Sequence, residues 1–158
     1  MRSKMKLKEK LFLAGLGSGL LPYAPGTWGS IVGLLLGVAI LSYFPTETLF
    51  LLTILITLFG IREINNYEEE SNIHDDKRIV IDEIAGIWIA LCFSGISPLA
   101  AGLSFIFFRI YDIKKPSIIG RIDRDAPGGI GVMGDDLIAG VAAGLSSAVV
   151  LQAIDYFK

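Results

Sequence analysis

The chain has 158 residues, of which 53% are hydrophobic and 19% charged, and its formal net charge is −2. This length fits one domain, residues 1–158, and the weak negative charge excludes a protein that binds the phosphate backbone of nucleic acids. A single cysteine, Cys92, excludes an internal disulfide, and a single histidine, His74, excludes a histidine-rich metal centre. Any chemistry must therefore rest mainly on carboxylates, basic side chains, hydroxyls and backbone amides.

Long apolar stretches indicate the fold class. No charged side chain occurs in residues 11–46, 48–61, 84–108 and 137–154. A helix needs roughly 20 apolar residues to cross a bilayer, so the first and last stretches are long enough. A polar break at residues 94–98 divides the third stretch into two short helices. The sequence thus predicts helices over residues 31–44, 48–64, 84–93, 99–112 and 135–156. This pattern favours an all-α helical bundle embedded in a membrane over a soluble all-α domain.

The distribution of charge predicts how the bundle is oriented. Residues 1–10 are rich in lysine and arginine, which the positive-inside rule places in the cytoplasm. Most other charged side chains lie in residues 62–83 and 109–136. We expect both charged clusters to face the cytoplasm, with the turns near Glu47 and Ser97 directed into or across the membrane.

Glycines recur at a spacing typical of packed helices. Gly29, Gly33 and Gly37 lie four residues apart, as do Gly140 and Gly144. This spacing lets membrane helices approach closely, so these glycines predict helix packing and no chemistry.

The first group of residues that could carry chemistry is the loop 17–30, which is rich in glycine, proline and hydroxyls and precedes a long apolar helix. Amides near Thr27 to Ser30 that point out of the helix start would bind an anion such as phosphate. The alternative is that Thr27 or Ser30 simply caps the helix.

The second group lies in residues 74–86, where Asp82 and Glu83 stand at the entrance of an apolar helix. Carboxylates there can be partners of the helix dipole, but ionised groups at the mouth of a membrane helix need a compensating partner. His74 is either a surface histidine or a general acid for a leaving alkoxide. The preceding acidic run, residues 68–70, is expected to be a solvated face.

The third group spans residues 109–136. Arg109, Asp112 and Lys115 recur every three residues and so share one helical face. Asp135 and Asp136 repeat the arrangement of the earlier acidic pair, a polar loop followed by carboxylates and an apolar helix. Hard oxygen donors without clustered Cys or His indicate Mg²⁺, and the two cations supply the charge that a phosphate requires.

Four ordered segments, residues 17–30, 79–86, 108–116 and 128–140, resemble the motifs of the phosphatidylglycerophosphatase A family. The resemblance covers nearly the whole chain. It implies an all-α, Mg²⁺-dependent phosphatase of the bacterial inner membrane that converts phosphatidylglycerophosphate to phosphatidylglycerol. It implicates as the acidic, metal-binding site Asp82, Glu83, Asp112, Asp135 and Asp136, with all but Asp135 also catalytic. It places around the phosphate Arg109, Lys115, Thr27 and Ser30.

Two other functions stay open on the sequence alone. One is a soluble metal-dependent phosphatase of a small phosphate ester on the same helical fold. The other is a non-enzymatic membrane scaffold or transporter, in which acidic residues gate an ion; transporters bury such residues in mid-helix, whereas here they lie at predicted helix entrances. Within the enzyme hypothesis, each acidic pair is expected to supply one ligand to a shared Mg²⁺, and the nucleophile is water or a carboxylate.

Overall fold

A computed structural model describes residues 5–157, and within that range the chain forms seven α-helices, a short 3₁₀ turn and no β-strand. The helices are α1 (Leu7–Phe12), α2 (Pro25–Tyr43), α3 (Thr46–Ser71), α4 (Ile81–Ser94), α5 (Pro98–Lys114), α6 (Ile118–Asp125) and α7 (Gly128–Tyr156), and the 3₁₀ turn is Ser18–Leu20. The predicted all-α fold is confirmed. Residues 1–4 of the predicted basic anchor lie outside the described residues.

The five predicted helices are all present, and all of them begin earlier than expected, two of them by six or seven residues. Helix α3 also ends seven residues later than expected, at Ser71. Helix α2 begins at Pro25 rather than at residue 31, because proline is well suited to the first position of a helix. Helix α7 begins at Gly128 rather than at residue 135, so a segment rich in glycine is helical. Helices α1 and α6 were not predicted.

Helix α4 is the centre of the bundle. Residues 84–91 are buried all round the helix, which is typical of a helix surrounded by others. Helices α2, α3, α5 and α7 pack around it, and α7 makes the most extensive contact. Trp88 donates a hydrogen bond of 2.8 Å from its Nε1 to the carbonyl oxygen of Gly33, which ties α4 to α2.

Glycines let the backbones of α4, α2 and α7 come into direct contact. A Cβ atom added at Gly140 would lie 2.2 Å from the carbonyl oxygen of Gly86, and one at Gly33 would lie 2.9 Å from the Cα of Ile84. Both contacts involve main chain, which cannot rotate away. The predicted packing role of the regularly spaced glycines is confirmed.

The contact at Gly140 predicts a large difference between two glycine-to-alanine variants. Gly140→Ala forces α7 away from α4, and we expect it to destabilise the fold by about 1–3 kcal/mol. Gly102→Ala is the matched control in α5, because nothing lies within 4 Å of an added Cβ there. It should stabilise its helix by about 0.5–1 kcal/mol. Unfolding in detergent measures both, and equal effects would contradict the packing described.

Two helices, α2 and α7, are long and apolar enough to cross a membrane by length and composition. Large apolar side chains also point outward from the bundle: Leu35 is 65% exposed, Leu58 62% and Val149 67%. The bundle thus has an apolar outer surface as well as an apolar core.

Candidate active site

A cavity of about 690 Å³ opens at one end of the bundle. Helices α2, α4 and α7 begin at this end, and α3 and α5 finish there. The walls come from both charged clusters predicted from the sequence, residues 62–83 and 109–136, together with the start of α2. The two clusters therefore lie on the same side of the molecule, and that this side faces the cytoplasm stays a prediction.

Three carboxylates meet inside the cavity. Asp82 and Glu83 project from the first turn of α4 and Asp136 from α7, and one oxygen from each lies within 4.8 Å of the others. Oδ1 of Asp82 and Oε2 of Glu83 are buried and have no hydrogen-bond partner among the described residues. Buried polar atoms are almost always satisfied, so these two oxygens mark a place where a ligand is expected.

The surroundings oppose ionisation of these carboxylates. Burial raises the pKa of Asp82 well above its usual value, and the neighbouring charge of Glu83 raises it further. For Glu83 burial is again the main cause; it outweighs a hydrogen bond with Asp82, and the pKa is raised to about 8. A bound cation would reverse this by compensating the charge. The donor set is oxygen only, which fits Mg²⁺.

Arg109 approaches the carboxylates from α5. Its Nη1 donates hydrogen bonds to Oδ2 of Asp112, at 2.5 Å, and to Oγ of Ser30, at 3.3 Å. Its Nε is buried and has no partner among the described residues. The guanidinium is thus held on one edge and keeps an unused donor, as expected of an arginine that binds an anion.

Gly26, in the first turn of α2, closes the space between Arg109 and the carboxylates. A Cβ atom there would lie 2.4 Å from Oε1 of Glu83 and 3.4 Å from Nη1 of Arg109. Gly26 lies in the loop 17–30 predicted to carry chemistry, but the sequence pattern gave it no role of its own. The one sequence feature that could have indicated its role is its position between Pro25 and Thr27, at the start of a helix.

Lys115 and Asp135 form a separate ion pair beside the three carboxylates. Nζ of Lys115 lies 2.6 Å from Oδ2 of Asp135 and 2.6 Å from Oδ1 of Asp123. Because Asp135 and Asp136 lie within α7 and not before it, their side chains diverge by about 100°. Only Asp136 joins the carboxylate cluster, whereas Asp82 and Glu83 both do. The expectation that each acidic pair supplies one ligand to a shared Mg²⁺ and one supporting group stays a prediction.

The amides predicted to bind phosphate are used within α2. The amides of Thr27 and Trp28 both donate to the carbonyl oxygen of Ala24, at 3.0 and 3.3 Å. Ser30 is fully buried, and its hydroxyl donates to the carbonyl oxygen of Gly26 at 2.8 Å. The prediction that amides from Thr27 to Ser30 are free is wrong because the helix begins earlier. Ser30 instead supports Arg109, and direct contact of Thr27 or Ser30 with phosphate stays a prediction.

Glu68 also lines the cavity, contrary to the expectation that residues 68–70 form a solvated face. It is buried, and its carboxylate accepts a hydrogen bond of 3.2 Å from the amide of Asp75. Its Oε2 also lies 3.2 Å from Nδ1 of His74, whose side chain is 83% exposed. Glu69 and Glu70 are exposed, as predicted. Glu68 therefore fixes the loop that carries His74 at the rim of the cavity.

A second network fixes the loop between α3 and α4. Tyr67 donates a hydrogen bond of 2.6 Å to Oδ2 of Asp76, and the guanidinium of Arg78 donates to both residues. Burial opposes ionisation of Asp76, but the hydrogen bonds from Arg78 and Tyr67 outweigh it and lower its pKa to about 2. Burial, with the hydrogen bond to Asp76, raises the pKa of Tyr67 to about 12.

This network predicts how stability depends on acid. Because the pKa of Asp76 is lower in the folded chain than its usual 3.8, ionised Asp76 stabilises the fold above about pH 4. That stabilisation should be lost as the pH falls from about 4 to about 2. Asp76→Asn should remove this part of the pH dependence, which unfolding measurements across that range would detect. Glu69→Gln, at an exposed position of α3, is the control; an unchanged profile in Asp76→Asn would contradict the network.

Comparison with known proteins identifies the family. The family description Phosphatidylglycerophosphatase A matches residues 11–151. Phosphatidylglycerophosphatase A of Haemophilus influenzae is 36% identical over 148 residues, which cover 93% of this chain and 88% of the relative. The Escherichia coli protein of the same name is 36% identical over 143 residues, covering 89% and 81%. A Bacteroides thetaiotaomicron protein provisionally named a phosphatidylinositol-3-phosphatase is 35% identical over 145 residues, covering 85% and 88%. No solved structure gives a significant match.

Fold, site and relatives together define an all-helical phosphoric monoester hydrolase. The chain belongs to the phosphatidylglycerophosphatase A family, so the resemblance found in its motifs is confirmed.

Proposed function

We propose that this chain is a Mg²⁺-dependent lipid phosphatase that removes the terminal phosphate of phosphatidylglycerophosphate. The observation that carries the proposal is the cluster of Asp82, Glu83 and Asp136, in which two buried oxygens lack partners. The guanidinium of Arg109 lies on the other side of Gly26 from Glu83, and its buried Nε also lacks a partner among the described residues. A cation and a phosphate are the two ligands that would satisfy these groups.

The carboxylate cluster supplies the ligands for the cation. Asp82, Glu83 and Asp136 would hold Mg²⁺, which when bound stabilises negative charge on the phosphoryl oxygens. The hydrolysis breaks the bond between phosphorus and the ester oxygen, and the products are inorganic phosphate and an alcohol.

Arginine and lysine would bind the phosphate. Arg109 presents its guanidinium toward the cluster, and its pairing with Asp112 fixes the orientation of that group. We assign Asp112 to positioning Arg109 and not to direct metal binding, because its Oδ2 accepts a hydrogen bond of 2.5 Å from Arg109 and it is not one of the three clustered carboxylates. Asp135 similarly fixes Lys115, at the edge of the same cavity.

A membrane location with a cytoplasmic site agrees with the exposed surface. Helices α2 and α7 have the length and composition of membrane spans, and apolar side chains line the outside of α3 as well. The catalytic cavity opens at the end of the bundle that carries the two charged clusters. The basic N-terminal residues and the positive-inside rule support the cytoplasm as the side this end faces.

The two alternatives are less well supported. A soluble phosphatase of a small ester would not need side chains such as Leu35 and Val149 to be 65% and 67% exposed. A scaffold or transporter would not need Arg109 beside a carboxylate cluster in a cavity at the end of the bundle.

Release of inorganic phosphate tests the proposal. The purified protein is assayed in detergent with phosphatidylglycerophosphate, with phosphatidylinositol 3-phosphate and with glycerol 3-phosphate, each with Mg²⁺ or with a chelator. We expect Mg²⁺-dependent hydrolysis, fastest with phosphatidylglycerophosphate. Preference for glycerol 3-phosphate would support the small-ester alternative, and unchanged activity in chelator would exclude the Mg²⁺ role.

His74 provides a separate test of the mechanism. Its side chain is 83% exposed, although it stands at the rim of the cavity and contacts Glu68. We expect His74→Ala to keep turnover within a few-fold of the unaltered protein, as for a surface histidine. A loss of roughly 100-fold, with the alkaline limb of the pH profile removed, would assign it as the general acid.

A further inference from the structure

A second cavity, of about 660 Å³, lies next to the catalytic one. Residues 19–23 form one of its walls and residues 73–78 the other. The first wall is apolar and exposed: Leu20 is 42% exposed, Leu21 45% and Tyr23 91%. The second wall is charged, so the cavity is amphipathic across its width.

The two cavities adjoin each other and share part of their lining. Pro25, Asp75, Asp76 and Lys77 line both of them. A ligand bound at the carboxylate cluster can therefore extend past these residues toward the apolar wall without leaving the surface of the protein.

The wall formed by residues 19–23 is held in place by main-chain contacts. A Cβ atom added at Gly19 would lie 2.1 Å from the carbonyl oxygen of Arg78, so the two segments touch through their backbones. Nearby, the amides of Val80 and Ile81 both donate to the carbonyl oxygen of Leu13, at 2.8 and 3.2 Å. The second cavity, called the groove below, is therefore formed by segments whose main chains are in direct contact.

Lys77 is the cation available where the cavities meet. Of the other basic residues that line the catalytic cavity, Lys115 is paired with Asp123 and Asp135, and His74 contacts Glu68. Lys77 is exposed and has no carboxylate partner among residues 5–157. An unpaired ammonium beside an apolar wall matches the boundary between a phosphate group and the lipid part of a phospholipid.

We infer that Lys77 binds the internal phosphodiester of the lipid substrate while the groove wall at Leu20, Leu21 and Tyr23 receives the lipid beyond it. This inference rests on the proposed function, in which the terminal phosphate occupies the carboxylate cluster. Lys77 would then determine specificity, because a phosphate ester that lacks the internal diester has no second phosphate group for this lysine to bind.

Product inhibition separates the two phosphate subsites. Hydrolysis of phosphatidylglycerophosphate is measured in mixed micelles with an uncharged detergent, and each of the two products is added as an inhibitor. Phosphatidylglycerol retains the internal phosphodiester of the substrate, whereas inorganic phosphate does not. For Lys77→Gln we expect KM for the substrate and Ki for phosphatidylglycerol to rise about tenfold each, the effect of one lost charged contact. The Ki for inorganic phosphate and kcat should stay within about twofold of the unaltered protein, since no group at the cluster has changed.

Lys114→Gln is the matched control, because Lys114 is exposed at the last residue of α5 and lines neither cavity. Leu21→Ser tests the apolar wall and should raise KM for the lipid while leaving inhibition by inorganic phosphate unchanged. Equal constants for Lys77→Gln and Lys114→Gln, or no inhibition of the unaltered protein by phosphatidylglycerol, would overturn the inference. Failure of the proposed function itself would be recognised by an unaltered protein that releases no phosphate from the substrate.

Discussion

Replacing Asp82 or Asp136 with asparagine should reduce phosphate release by about a thousandfold or more, because a lost ligand removes several kcal/mol of charge stabilisation from the transition state. Each of these carboxylates contributes an oxygen to the cluster within 4.8 Å. Asparagine keeps the size of the side chain and removes its charge. Asp125→Asn, at the exposed end of α6, is the control and should keep full activity.

Stability measurements distinguish a lost ligand from a damaged fold. Without Mg²⁺, Asp82→Asn removes a carboxyl group whose pKa is raised first by burial and then by the charge of Glu83. The variant should therefore be at least as stable as the unaltered protein in chelator. With added Mg²⁺ the unaltered protein should unfold at a higher temperature, because a ligand that binds only the folded state stabilises it. Full Mg²⁺-dependent activity in both Asp82→Asn and Asp136→Asn would contradict the shared-metal mechanism.

Arg109→Lys should lower kcat/KM by about a hundredfold or more, because an ammonium cannot reproduce the planar, bidentate contact of a guanidinium with phosphate. The substitution keeps a positive charge near Asp112, so this carboxylate, whose side chain is 14% exposed, keeps a cationic neighbour. The matched control is Arg124→Lys on α6, where the side chain is exposed.

A kinetic comparison shows what Arg109 does. If the arginine binds the transferred phosphoryl group, the loss should appear in kcat as well as in KM, and inhibition by inorganic phosphate should weaken. Activity within a few-fold of the unaltered protein would show that the ion pair with Asp112 is structural.

Much of the fold could be predicted from the uncharged stretches, because helices that bury apolar residues on all sides need long apolar sequences. The start of α7 could not, since glycine has low helix propensity and residues 128–134 read as a loop. Tertiary contact explains the difference: a Cβ at Gly129 would lie 2.4 Å from the carbonyl oxygen of Ile61. Helix α6 was missed because it is short and polar on one face.

The site was predictable where its members are close in sequence. The spacing of three residues between Arg109 and Asp112 predicted a shared helical face, and the structure joins them by a hydrogen bond. The partner of Asp135 was beyond such reasoning, because Lys115 lies on another element and the contact depends on how α5 and α7 pack. Glu68 was misplaced because a run of three glutamates gives no sign of which one points inward.

The contact between α4 and α7 also determines the distance between the carboxylates of the proposed catalytic centre. Asp82 precedes Gly86 by four residues, and Asp136 precedes Gly140 by four, so each carboxylate lies one turn before the point where the two backbones touch. The gap between the two helices at the carboxylates is therefore determined by main chain in direct contact. Because the two main chains touch, the distance between the helices at the carboxylates cannot easily change. A fixed distance suits a small ion that tolerates little departure from its preferred geometry.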